Sequence, residues 1–232
     1  KEGSKGLMTG FGMGEKFWGG HSELASVDAS FLLNVPSGFT MKNAMQCGTA
    51  GLTASMAVLK LRDFGLSPES GKILVTGASG GVGTISILLL KKLGFHVIGA
   101  TSNKENFEFL ENLGVEEIID TSTLSSAKIL DQQKWIGAID SLGSKALAGV
   151  CAHTCVGGAV VACGNAQGMN LPTSVAPFIL RGINLFGLDS VYQKLANRKR
   201  AWNLLAECLT DYDLDNISTE CQFKDILDLA RR

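Results

Sequence analysis

The 232-residue chain is 45% hydrophobic and 19% charged, a composition able to bury a sizeable core as a soluble globular protein. Its 21 Lys and Arg against 22 Asp and Glu leave no basic field for nucleic acid or an anionic membrane, so a phosphate-bearing ligand needs a local site. The longest largely apolar run, 85–90, falls short of the roughly 20 residues that span a bilayer. With no secretory apolar segment after Lys1 and six scattered cysteines that read as reduced thiols, the expected location is cytoplasmic.

Residues 1–40 are rich in glycine, with extended stretches such as "ELASVDASFLLNVP" between turn signals, and read as β-structure with loops. From 41 to 64 the apolar residues fall at helical spacing, interrupted by "CGTAG" at 47–51. After the turn "FGLSPESG" the texture becomes alternating: strand 72–77, helix 81–94, strand 96–101, helix 104–113, strand 116–120. Strand-like "IGAIDSLG" and "GAVVACG" follow with a helix over 145–151 between them, then strand 183–190 and an amphipathic helix over 197–209. Apolar strands alternating with helices predict an α/β fold with a doubly wound parallel sheet buried on both faces.

"GASGGVG" (77–83) closes a strand and opens a helix, the context a dinucleotide fingerprint requires. Here the motif is A-x-G-x-x-G, with Ala78 in place of the first glycine. Gly80 is expected to make the tight turn and Gly83 to let helix and strand pack closely. The bare backbone at Gly80 and Gly81 lets a pyrophosphate approach the helix N-terminus. A Walker A loop is excluded because it needs a lysine the loop lacks. The letters also fit the TGxxxGxG loop of short-chain dehydrogenases, but neither Tyr192 nor Tyr212 has a lysine four residues on. Where an NAD-binding fold carries an acid after its second strand, this chain has Thr101, Ser102, Asn103 and Lys104. Hydroxyls, an amide and an ammonium suit a 2′-phosphate, so NADPH is the expected cofactor. The alternative for the same residues is a loop in which Ser102 or Asn103 caps the next helix.

Other candidates divide between site and scaffold. Thr49, at a helix start, faces the cofactor or caps the helix. Arg181 grips a phosphate or carboxylate, or pairs with a structural acid. "NRKR" at 197–200 reads as a solvated helix face. "CAHTC" (Cys151, His153, Cys155) suggests a metal cluster, but on a helix end His153 points away from the face the two thiols share, and no second ligand pair follows. No metal site is expected, and nothing orients a base for a cysteine nucleophile.

Taken together, "GFGMGEKFWGGHSELA", "GTAGLTASMAVLKL", "ILVTGASGGVG", "KWIGAIDSLG", "VVACGNAQG" and "LPTSVAPFILRGINLFGLDSV" resemble the medium-chain dehydrogenase/reductase superfamily. Within it the chain is most similar to the zinc-independent acrylyl-CoA reductase (NADPH) group, also described as quinone oxidoreductase-like. The resemblance implies a Rossmann domain joined to a partial GroES-like β domain: 1–39 as its remnant, 40–190 as the NADP-binding domain, and 191–232 as a C-terminal helix returning toward it. It also implies further chain before Lys1 and after Arg232. By position, Ser79, Gly80, Gly81 and Val82 would cradle the pyrophosphate, and Thr101, Ser102 and Asn103 the adenosine phosphate, with Lys104 added on its charge. Asn165, through its backbone, Leu180 and Ser190 would line the nicotinamide half. No catalytic acid or base is assigned. "GGHSE" (19–23) is placed in a strand region and is not the G-H-E motif of the zinc enzymes. The implied activity is NADPH-dependent reduction of the C=C bond of an unsaturated acyl thioester such as acrylyl-CoA. The alternatives are quinone or enone reduction and a catalytically incomplete NADP-binding fragment. The apolar strand 183–190 at a sheet edge suggests a homodimer.

Overall fold

The structure, a computed structural model, describes residues 2–230, so Lys1, Arg231 and Arg232 of the two flanking segments lie outside the described residues. Its centre is an all-parallel six-stranded sheet in the order β5-β4-β3-β6-β7-β8. The strands are β3 (Ile73–Thr76), β4 (Val97–Thr101), β5 (Glu117–Asp120), β6 (Trp135–Asp140), β7 (Thr154–Ala162) and β8 (Asn184–Gly187). Every residue of β3 and β4 is buried, because helices cover both faces and leave the strands no polar side.

Two apolar layers result. Ile73 and Val75 of β3 pack with Val97, Ile139 and Val161 under α1 (Met41–Phe64), α2 (Gly81–Lys92) and α7 (Leu195–Cys208). Leu74, Ile98, Ala138 and Val160 face α4 (Ser122–Ser125) and α5 (Ser144–His153). Short helices fill the remaining connections: α3 (Phe107–Asn112), α6 (Ala176–Arg181), α8 (Asp211–Asp215) and α9 (Ile226–Leu229). Thr40 starts α1 through a capping box with Asn43, whose buried amide donates to Asp211 at 2.8 Å and ties α1 to α8. Gly48 breaks the helix at φ +51, ψ −149, as "CGTAG" foretells.

The N-terminal segment departs from its expected strand content. Among its described residues only β1 (Gly6–Leu7) and β2 (Leu33–Asn34) pair as strands, antiparallel, with one isolated bridge between Met13 and Phe17, and most of the remainder is turn and loop, "GGHSE" included. Side chains hold it instead. Phe11 stacks on Phe31 with ring centroids 4.2 Å apart, and the guanidinium of Arg198 lies over the Phe11 ring. Arg198 is buried and donates to the Thr9 hydroxyl at 3.0 Å and to the Thr9 and Val191 carbonyls. This helix of "NRKR" is therefore only partly a solvated face.

Candidate functional site

β3 and β6 are neighbours, yet the chain leaves β3 for α2 on one face of the sheet and leaves β6 for α5 on the other. Such a switch point is where open α/β sheets place a ligand crevice, and here its two sides are the loop 77–80 and the turn 141–143.

The first wall is backbone. Gly77 takes the left-handed φ of +57°, and a Cβ there would lie 2.4 Å from Ser141 Oγ. The tight turn is therefore made at Gly77 and not at Gly80, which has an ordinary φ of −81° and serves as N-cap of α2. Gly83 behaves as expected: a Cβ there would fall 2.2 Å from the Gly77 carbonyl oxygen, so only glycine lets α2 seat against the strand end. The Ala78 N–H donates to the Ala100 carbonyl at 3.1 Å, fixing the loop to β4. No side chain caps α2, so its first-turn amides and positive dipole end face the crevice with bare Gly80 and Gly81 before them. Ser79 is half-buried and its Oγ accepts from Asn106 Nδ2 at 2.9 Å; Val82 is half-buried behind it.

At the end of β4, Thr101 is buried and its Oγ1 accepts from the Asn103 N–H at 3.2 Å. Asn103 Oδ1 accepts from the Glu105 N–H at 3.0 Å and caps the single 3-10 turn Lys104–Asn106, so the capping role falls to Asn103. Ser102, Asn103 and Lys104 are all exposed, which gathers a hydroxyl, an amide and an ammonium at this edge. The nearest strand end contributes Asp120, opposite Thr101 in register. Hydrogen bonds from Ser122 hold its carboxyl below the usual range, with the Lys104 charge adding to the effect.

The opposite wall contains residues the sequence reading passed over. Asp140, wholly buried at the end of β6, accepts from Thr76 Oγ1 at 2.7 Å and from the Gly143 N–H at 2.8 Å. Burial pushes its carboxyl up, against the pull of those hydrogen bonds. Ser141 donates its N–H to Thr76 Oγ1 and its hydroxyl to the Thr76 carbonyl, both at 3.1 Å. The Cys163 N–H donates to the Asp140 carbonyl at 2.8 Å. An aspartate inside "GAIDSLG" reads as an ordinary polar strand residue; a carboxylate closing an apolar strand just before Ser-x-Gly is the signal that could have marked it.

Asn165 is exposed beyond β7, its Nδ2 2.5 Å from Met169 Sδ and its carbonyl accepting from Gly168 N–H at 2.8 Å. With Gly143, Ser144 and Cys163 it lines a hollow of about 360 Å³. Ser190 Oγ and Thr53 Oγ1 are hydrogen-bonded at 2.8 Å, and Thr53 Oγ1 also reaches the Thr49 carbonyl. The Thr49 side chain itself forms no capping bond among the described residues. Leu180 is exposed on α6. Its neighbour Arg181 neither awaits an anion nor meets an acid: Nη1 donates to the Ala152 and Thr154 carbonyls at 2.7 and 3.1 Å, and Nη2 to the Asp131 carbonyl.

The "CAHTC" geometry also differs from expectation. α5 ends at His153 and Cys155 already belongs to β7, so the thiols share no helix face. His153 Nδ1 sits 2.9 Å from the Gly149 carbonyl oxygen, and burial pushes the Cys151 thiol up to about 12. Among the described residues no three His, Cys, Asp or Glu side chains are grouped to hold a metal ion, and no helix is long and apolar enough to cross a membrane.

Residues 81–207 match the family model described as zinc-binding dehydrogenase. The acrylyl-CoA reductase AcuI of Ruegeria pomeroyi is 42% identical over 211 residues, covering 90% of this chain and 64% of that protein. YhfP of Bacillus subtilis, described as a putative quinone oxidoreductase, is 40% identical over 210 residues with the same coverage. Its crystal structure with NAD bound superposes with a TM-score of 0.90 at 38% identity, covering 99% of this chain and 73% of that one. The crystal structure of Escherichia coli K-12 YhdH with bound NADPH superposes with a TM-score of 0.96 at 40% identity, covering 99% of this chain and 71% of that one. The chain thus spans 64% of the length of these curated relatives.

Proposed function

Since the chain belongs to the zinc-binding dehydrogenase family, within the medium-chain dehydrogenase/reductases, we propose that it is an NADPH-dependent oxidoreductase reducing the C=C bond of an α,β-unsaturated acyl thioester such as acrylyl-CoA. The observation that carries this reading is the switch-point crevice itself: an uncapped helix start behind bare glycines at one wall, and a donor-rich strand end beside it. The fit to the cofactor rests on that donor set. Ser79, Gly80, Gly81 and Val82 would hold the pyrophosphate through backbone amides. Thr101, Ser102, Asn103 and Lys104 would take the adenosine phosphate, where an ammonium attracts and a free carboxylate would repel. Asn165, Leu180 and Ser190 would line the nicotinamide half. Bound there, the cofactor would supply the hydride that goes to the β-carbon of the thioester, with a proton going to the α-carbon to complete the reduction. The chain's own part is to orient that ring and exclude water from it.

The AcuI relative supports the thioester substrate, and the YhdH complex supports NADPH. Reduction of quinones or enones is the second reading, favoured by the name of the Bacillus relative; an NADP-binding chain without turnover is the third. Independence of zinc belongs to this proposal through the resemblance to the zinc-independent reductases, in which "GGHSE" occupies a position that needs no metal ligand. The division into 1–39, 40–190 and 191–232, a cytoplasmic location and pairing of two copies through the edge strand β8 belong to the same proposal. The test is loss of NADPH absorbance on mixing with acrylyl-CoA, a quinone or an enone. Turnover of the thioester alone supports the first reading, turnover of quinone or enone alone the second, and binding without oxidation the third; tighter binding of NADH than of NADPH overturns the cofactor assignment.

A further inference from the structure

We infer that Thr76 and Asp140 are positioning residues: a buried side-chain bridge at the switch point that sets how far the two walls of the cofactor crevice stand apart. The inference rests on the NADPH reading of that crevice.

The backbone ladder between β3 and β6 ends at the pair Val75↔Ile139. One residue further on, where the strands begin to part toward opposite faces, Thr76 Oγ1 donates to Asp140 Oδ1 at 2.7 Å, a side-chain rung in place of a backbone one. Both residues are essentially without solvent contact, so the bond is not exchanged for water. The same two side chains reach the turns that follow β3 and β6. The second carboxylate oxygen of Asp140 accepts from Gly143 N–H, whose φ of +72° and neighbour Gly168 leave no room for a Cβ. Thr76 Oγ1 accepts from the Ser141 N–H, and the Ser141 hydroxyl returns to the Thr76 carbonyl, just before the left-handed Gly77. Through its carbonyl, Asp140 also takes the Cys163 N–H, two residues before Asn165. The turns after β3 and β6 are thus referred to one pair of side chains, through bonds that the sheet ladder itself does not need, while the loop after β7 joins them by continuing the β6–β7 ladder.

Four variants test this: Thr76→Val, Thr76→Ser, Asp140→Asn and, as a stability control, Leu205→Ala, which removes core volume from α7 and touches none of the bonds of the bridge. Asp140→Asn keeps one acceptor but sets an amide N–H against the Gly143 N–H. Titration with NADPH and thermal midpoints are read on each. We expect Thr76→Val and Asp140→Asn to raise the NADPH Kd about tenfold or more, Thr76→Ser to stay within about twofold of the parent, and Leu205→Ala to lower the midpoint while leaving Kd unchanged. A bridge that only holds the fold would lower midpoints with parental Kd in Thr76→Val and Asp140→Asn, or prevent both from folding, and either result overturns the inference. Failure of the parent chain to bind NADPH would instead sink the cofactor reading, and this inference with it.

Discussion

Substituting Gly83 and Gly81 one at a time by alanine separates the two tasks that the glycine loop combines. A Cβ at Gly83 would lie 2.2 Å from the Gly77 carbonyl oxygen and 2.8 Å from both Cα and O of Ala78. All three atoms are backbone, belonging to a loop pinned to β4 by the Ala78 N–H, so nothing there can swing aside. Overpacking typically costs about 1–3 kcal/mol, and more where the neighbours cannot yield; the helix gain of alanine over glycine returns about 1 kcal/mol. A net loss of about 2 kcal/mol or more follows, or roughly 4–8 °C in Tm for a chain of this size. At Gly81 the new Cβ would meet only Ala50 Cβ, at 3.1 Å. That strain is close to the helix gain, so Tm should stay within about 3 °C. Gly81 is exposed at the crevice, however, and its alanine variant should weaken NADPH uptake. Differential scanning calorimetry and NADPH titration of the two variants provide the assay. A Gly83→Ala protein with parental Tm would refute the close-packing argument, and a Gly81→Ala protein with parental affinity would refute the backbone-approach argument.

Arg181→Met should lower Tm by about 5 °C, since three carbonyls lose a charged donor, and should leave the KM for a thioester unchanged; a raised KM with parental Tm would restore the anion-gripping role. Lys104→Glu should shift the ratio of NADPH to NADH affinity about tenfold toward NADH, measured by paired titrations, because it sets a carboxylate where the 2′-phosphate would sit. Asp213→Asn tests linkage. Burial works against the Asp213 carboxylate, but hydrogen bonds from Thr210 and Lys92 outweigh it and hold its pKa below the ordinary 3.8. Its contribution is therefore complete above that value and drains away as pH falls through the lower folded-state value. The variant should melt below the parent at pH 7, and the gap should narrow progressively as pH falls below 3.8; a gap that does not change with pH would exclude the ionised carboxylate as its source.

The central sheet was readable because its strands obey one strong rule. Strand residues buried on both faces are apolar, and β3, β4 and β6 are so until the polar residue that closes each of them, Thr76, Thr101 and Asp140. The α2 start was readable because backbone crowding at Gly83 leaves a trace in residue type. The N-terminal segment was over-read as strand because its glycines and alternating residues mimic a β pattern, whereas its order comes from Arg198, 189 positions away from Thr9. Arg181 was misassigned for a related reason. Its partners are carbonyls at Asp131, Ala152 and Thr154, and a carbonyl has no letter in a sequence.

The candidate site divides along the same line. Its cofactor-facing half is written in local motifs, since a glycine loop and a strand-end cluster each act within a few residues. What holds the walls apart is the Thr76–Asp140 bond, which joins residues 64 positions apart. Asp140 carries a local mark in closing an apolar strand before Ser-x-Gly, but nothing local marks Thr76 or relates the two. A parallel sheet makes this general: neighbouring strands are separated in sequence by at least a helix, so side chains that close a switch point always come from distant segments. The crevice is thus recognised from its glycines but dimensioned by a polar pair that only the folded topology brings together, and perturbing that pair should change affinity for the cofactor without erasing the motif that announces it.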